Sequence, residues 1–228
     1  MDYTFQFGPL LNYLPQIVSG LWLTIGLSFV GIFGGIALGI FCAVMSTSSS
    51  PIPRLLVRLY VEVVRNTPLL VQIFVIFFGL PNIGIRLSPL TSVFIALVLN
   101  NGGYVAEIVR GGIKATHRSQ VEAAESLGLS YFQTLRYVIL PPALEKVFTP
   151  VVSQCVLLML STSLVSAIGV EDLTGAAMIA SSETFRTMEI YLVVAMVYVV
   201  LNFVFRAVLN VAGLMIFTRS RRRLLGRA

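Results

Sequence analysis

Charge is scarce in this chain. Of 228 residues only 11% are Asp, Glu, Lys or Arg, whereas a soluble globular domain carries about 25%. An ordinary water-soluble enzyme is excluded, because 57% apolar residues and a mean hydropathy of +0.90 leave too little polar surface to cover a particle of 24.9 kDa. Cysteine is almost absent. Cys42 and Cys155 stand in apolar surroundings with no C-x-x-C spacing, so neither a disulfide framework nor a zinc site is indicated and both read as packing residues. His117 is the sole histidine, with nothing nearby to complete a catalytic or metal constellation. There is no G-x-x-x-x-G-K-[ST] loop to cradle ATP, and no H-E-x-x-H, paired intramembrane Asp or Ser-His arrangement to suggest a membrane-embedded enzyme. The net charge of +6 does not point to nucleic acid, since the 16 basic residues fall in short clusters between apolar runs.

Long hydrophobic runs are what the sequence has in abundance. A helix needs roughly 20 apolar residues to cross the bilayer core, and five such runs lie at about 17–45, 59–80, 88–110, 147–169 and 190–217. The expected fold is therefore all-α: a single transmembrane domain over residues 1–228, built as a bundle of five membrane-spanning helices. Asp2 and the lack of any basic residue before Arg54 argue against a cleavable signal peptide, so the first span reads as retained. Basic residues alternate around the spans as none, three, one, five, one and five, with Arg206 inside the fifth. By the positive-inside rule this places the N-terminus outside and the C-terminus in the cytoplasm. Five basic residues from Arg219 to Arg227 read as an anchor for the last span against anionic lipid. Gly31, Gly35 and Gly39 recur every four residues and would let another helix approach closely.

The only sizeable hydrophilic segment is the loop at about 111–146. Ser119 with Glu122 and Ser130 with Gln133 have capping-box spacing, Gly128 suits a left-handed helix end, and Pro141 with Pro142 would interrupt the second helix. Phe132, Leu135, Val138 and Ile139 can share its apolar face. The expected unit is a helix-turn-helix hairpin, either transmitting force or lying on the membrane surface.

Glu122, Ala123, Ala124 and Gly128, followed by Leu140 and Pro141, resemble the EAA loop of importer-type ABC transporter permeases, with Val138 where that family has Ile. Residues 65–72, Arg-Asn-Thr-Pro-Leu-Leu-Val-Gln, are similar to the R-x-T-P-L-L-x-Q segment of polar amino acid permeases. Tyr104, Glu107, Arg110 and Gly111 are similar to their A-Y-x-x-E-x-x-R-G segment, although Gly103 replaces the Ala, and Ser119 replaces a Gly before Gln120. Ser163 to Val165, Ile168, Gly169 and Asp172 to Thr174 resemble the fourth-helix exit, so the likeness covers roughly residues 15–217. It implies a bacterial inner-membrane transport subunit, not an enzyme, that moves polar amino acids by ATP-driven alternating access, and it makes the outer side, where the N-terminus lies, the periplasm. It also implies a dimer of ATPase subunits binding ATP and Mg, a second permease that is the same chain or a similar one, and a periplasmic or lipid-anchored amino acid-binding protein. The resemblance places Glu122, Ala123, Ala124 and Gly128 at the ATPase contact. A self-contained secondary carrier or channel is the competing class, disfavoured by the lack of an inverted repeat or buried acid relay.

A zwitterionic substrate needs an acceptor for its ammonium and donors for its carboxylate. Candidates are Thr67, Gln72, Asn100 and its neighbour Asn101, Ser163, Asp172, Asn202 and Arg206. Pro68 and the Gly102-Gly103 pair could loosen their helices and free backbone groups. Arg206, on one face with Asn202 and Asn210, would be either a carboxylate clamp or a structural cation snorkelling or paired with Glu62 or Glu107. Asp172 could receive an ammonium or cap an outer helix. Glu62 with Arg65 and Glu107 with Arg110 have the spacing of pairs on one helix. Arg206 suits acidic substrates and Glu171-Asp172 basic ones, so the sequence leaves the amino acid open.

Overall fold

A computed structural model describes residues 4–48 and 50–216, and every regular element among them is helical. The basic tail beginning at Arg219 lies outside the described residues. A 3-10 turn, Gly8–Tyr13, leads into α1 (Leu14–Met45), and both have proline in their first turn, where no amide partner is needed. α2 (Pro51–Arg65) and α3 (Leu69–Phe74) follow. α3 continues through a π-helical turn and a 3-10 turn to Ile83. α4 (Pro89–Lys114) starts at Ser88, whose hydroxyl accepts from Thr91 N–H. α5 (Arg118–Ser126) and α6 (Tyr131–Gln133) form the polar hairpin, and α6 passes through a π-helical stretch, Thr134–Ile139, into α7 (Leu140–Ser161). A 3-10 segment, Thr162–Ile168, then α8 (Leu173–Thr184) and α9 (Thr187–Ile216) complete the described chain.

Four of these stretches are long and apolar enough to cross a membrane: Gly8–Met45, Pro89–Lys114, Tyr131–Ile168 and Thr187–Gly213. The expected span at 59–80 differs from a single straight helix, because α2 and the run Leu69–Ile83 meet at an angle of 109°. The physical cause is Pro68, which lacks an amide hydrogen and holds an extended backbone (φ −62°, ψ 142°) that stops α2 and restarts the chain in a new direction.

The α1–α4 contact is the most extensive in the bundle. A Cβ on Gly35 would lie 2.5 Å from the Asn101 side chain, and one on Gly39 would lie 2.6 Å from Val105. These glycines therefore admit α4 rather than bending α1. Gly102 and Gly103 act likewise toward Leu38, Tyr60 and Val64, and α4 runs through them unbroken. Leu27, Ile73, Leu97, Leu158, Met159, Leu173 and Ile190 form the main core between α1, α3, α4, α7, α8 and α9. α9 leaves Met196, Val200, Phe203 and Val204 exposed, an apolar surface suited to hydrocarbon or to another helix.

Candidate functional site

The polar hairpin is the first part of the site. α5 begins at Arg118 after His117, so Ser119 falls inside the first turn. The expected Ser119 capping box is not the cap of this helix. Instead Arg118 Nε donates to Glu122 Oε1 at 2.8 Å across one turn. Gly128 takes the left-handed conformation (φ +75°) that reverses the chain, and Ser130 with Gln133 forms a complete capping box on α6. Pro141 and Pro142 do not interrupt the second helix. The wide π stretch ahead of them absorbs their missing donors, Leu140 N–H reaching back to Leu135 O. That stretch also rotates the expected apolar face, leaving Leu135 buried and Phe132 exposed at 68%.

Ala124 is buried against the hairpin's second arm, while Glu122, Ala123 and Gly128 are exposed. Leu127, at the tip, is 81% exposed. It is a large apolar side chain at the tip of a polar loop, at a position that the EAA pattern does not single out. One tether fixes the hairpin to the bundle, and a second bond joins α7 to the end of α4 at its base. Tyr131 OH lies 2.7 Å from the carbonyl oxygen of Thr47, at the end of α1, and 2.9 Å from its hydroxyl. Lys146 Nζ donates to the carbonyl of Ala115 at 3.1 Å. Both link residues far apart in sequence, which is why spacing alone does not reveal them.

The second part lies at the helix break. Gln72 Nε2 donates to Val64 O (2.9 Å), Thr67 O (3.1 Å) and Thr67 Oγ1 (2.9 Å), satisfying groups that Pro68 sets free. Asn100 Nδ2 in turn donates to Gln72 Oε1 at 3.1 Å. Thr67, Gln72 and Asn100 are thus gathered into one polar network between α3 and α4. The neighbouring Asn101 is buried against α1, donating to Gly31 O at 3.2 Å, and its Oδ1 has no partner among the described residues. Ser163, in the 3-10 segment that packs on α3, donates to Leu160 O.

Asp172 is fully buried and caps α8, with Oδ1 accepting from Gly175 N–H at 2.9 Å and Oδ2 from Tyr198 OH at 3.3 Å. Thr24 of α1 completes the cap by accepting from Leu173 N–H. Burial pushes the Asp172 carboxyl above its ordinary range, against the pull of the hydrogen bonds it accepts. In this conformation the carboxylate is closed to a substrate ammonium. Arg206 is exposed on α9 and, among the described residues, has no hydrogen bond or ion pair. Asn202 is half-buried one turn earlier. The expected pairing of Arg65 with Glu62 is replaced, because α2 ends against α4: Arg65 lies 3.8 Å from Glu107 and over the Tyr104 ring. Glu107 also accepts from Arg110 Nε at 2.7 Å and from Nη2, and so is already engaged without Arg206.

Residues 35–212 match the family described as binding-protein-dependent transport system inner membrane component. The chain belongs to this family. It is 33% identical over 208 residues to the glutamine transport system permease protein GlnP of Escherichia coli K12, covering 90% of this chain and 95% of that one. Against the probable amino-acid ABC transporter permease protein YckA of Bacillus subtilis it is 34% identical, covering 86% and 87%. Among solved structures, an amino acid ABC transporter crystallised with histidines superposes with a TM-score of 0.84 at 36% identity, over 92% of this chain and 99% of that one. The MetNI methionine ABC transporter, at 20% identity and a TM-score of 0.73 over 90% and 96%, shares the fold. The chain is accordingly a membrane-embedded ABC importer permease of the bacterial inner membrane, and not an enzyme: ATP hydrolysis belongs to a separate subunit, and a substrate-binding protein is the further partner.

Proposed function

We propose that this chain carries polar amino acids inward, paired with a second permease that is either the same chain or a similar one, above a dimer of ATPases binding ATP and Mg. In this reading the N-terminus faces the periplasm, as the distribution of basic residues favours. The observation that carries it is the hairpin. Its exposed face of Glu122, Ala123, Leu127 and Gly128 is tied to the end of α1 by Tyr131 and Thr47, above a bond from Lys146 of α7 to Ala115 at the end of α4, so a push on it reaches α1, α4 and α7. The small exposed residue at 123 allows close docking, Ala124 packs the first arm against the second, and Gly128 supplies the chain reversal between them.

The substrate route, in the same reading, runs past the Thr67–Gln72–Asn100 network and Ser163 toward Asn202 and Arg206. Arg206 supports it best, because among the described residues its guanidinium has no partner, which leaves its planar donor edge free for a carboxylate. Asp172 acts one step away, fixing α8 against α1 and α9.

The test is mild detergent extraction of tagged protein from native membranes. Wild type should bring down a P-loop ATPase, and Gly128→Arg should lose it while inserting normally. Recovery of the chain alone under several mild conditions would overturn the coupling role.

A further inference from the structure

A cleft of about 660 Å³ lies between the C-terminal end of α1, α2 and the C-terminal half of α4; Arg65 and Asn66 of its lining lead directly into Thr67 of the Thr67–Gln72–Asn100 network, none of whose three residues lines it. Five cationic side chains line it, from Arg54, Arg58, Arg65, Arg110 and Lys114, against the carboxylates of Glu62 and Glu107. Glu107 is shared between Arg110 and Arg65. Neither Arg58 nor Lys114 has a carboxylate within ion-pair distance among the described residues. Cations held together in a concave site with low-dielectric walls repel one another and focus a positive potential outward, which an anion would relieve.

α2 adds the second half of the chemistry. Ile52, Leu55, Leu56, Leu59 and Val63 are all more than half exposed and follow the spacing of one helix face, while Arg54, Arg58, Glu62 and Arg65 of the same helix line the cleft. A cationic cleft of this size bordered by an apolar stripe fits an amphiphile better than a small soluble anion. We propose that the cleft binds the phosphodiester headgroup of an anionic phospholipid, with its acyl chains lying along the apolar stripe of α2. Thr47, on the cleft wall, carries the Tyr131 tether, so the bound headgroup also steadies the base of the hairpin. The inference needs the chain to be membrane-embedded but does not depend on which solute it carries.

The test uses the intact complex in nanodiscs of phosphatidylcholine mixed with phosphatidylglycerol, with retained lipid read by native mass spectrometry. Wild type should retain phosphatidylglycerol preferentially. Arg58→Gln and Lys114→Gln should each weaken that retention about fivefold; Arg58→Lys should keep it, and Arg118→Gln, on the distant hairpin, should not change it. Leu55→Ser with Leu59→Ser should weaken it with every charge intact. Equal retention of the two lipids, or equal loss in Arg118→Gln, would overturn the site. Tight uptake of inorganic phosphate by dialysis, with no lipid preference and no effect of the leucine changes, would overturn the lipid assignment in favour of a soluble anion.

Discussion

Asn100 donates to Gln72 Oε1 at 3.1 Å, and through that one contact α4 fixes the side chain that bridges the break between α2 and α3. Gln72→Leu removes the donor to Val64 O and to both oxygens of Thr67; the sites are part-buried and Thr67 Oγ1 keeps its bond to Val63 O, so the total should be about 1–3 kcal/mol. Asn100→Leu removes a single bond and should cost less. Thermal unfolding of the purified complex should show the double variant less destabilised than the sum of the singles, since both act on one network. Strict additivity would contradict the shared role.

Tyr131→Phe deletes only the hydroxyl that ties the hairpin to Thr47. The complex should still assemble, because Glu122, Ala123 and Gly128 are untouched, yet more ATP should be hydrolysed for each amino acid delivered. Parallel uptake and phosphate-release assays measure that ratio, and an unchanged ratio would show the tether to be dispensable.

Gly39→Ala places a Cβ 2.6 Å from Val105 and 2.9 Å from the backbone nitrogen of Ala106, which cannot swing away. Overpacking of this kind costs about 1–3 kcal/mol. Gly26→Ala, on the same helix with nothing within 4 Å, should be neutral or slightly stabilising through helix propensity. Comparing the aggregation temperatures of the two variants isolates packing from propensity.

Burial raises the Asp172 carboxyl in the folded chain, so the fold holds that proton more tightly than the unfolded chain does. Its contribution to stability is full below the ordinary value of 3.8 and is lost as pH rises through the folded value. Asp172→Asn keeps an oxygen for Gly175 N–H and removes the titration. Relative to wild type, the variant should gain stability as pH goes from about 4 to about 7. A difference that stays flat or runs the other way would contradict this.

Local pattern carried much of the fold. Apolar run length marks α1, α4, α7 and α9, and the glycine spacing marks the face of α1 that receives α4. Ser130 and Gly128 announce the second arm of the hairpin and its turn. What the pattern does not show is set by tertiary contact. Pro68 marks the break, but the 109° angle there and the bonds by which Gln72 satisfies Val64 and Thr67 across it are not readable from spacing. The continuity of α6 into α7 depends on a π stretch that periodicity of 3.6 cannot represent, and Phe132 is turned outward by it. Arg65 reaches Glu107 of α4 rather than Glu62 of its own helix, a contact made only when α2 packs on α4. The caps that Asp172 shares with Thr24 and Tyr198 join residues more than 20 positions apart, beyond any local signature.

The most direct measurement is uptake of labelled polar amino acids by the complex purified from native membranes and reconstituted in proteoliposomes with its binding protein. Uptake should require enclosed ATP, resist a protonophore, and vanish in Gly128→Arg. Uptake by this chain alone, driven by a proton gradient without ATP, would contradict the importer role.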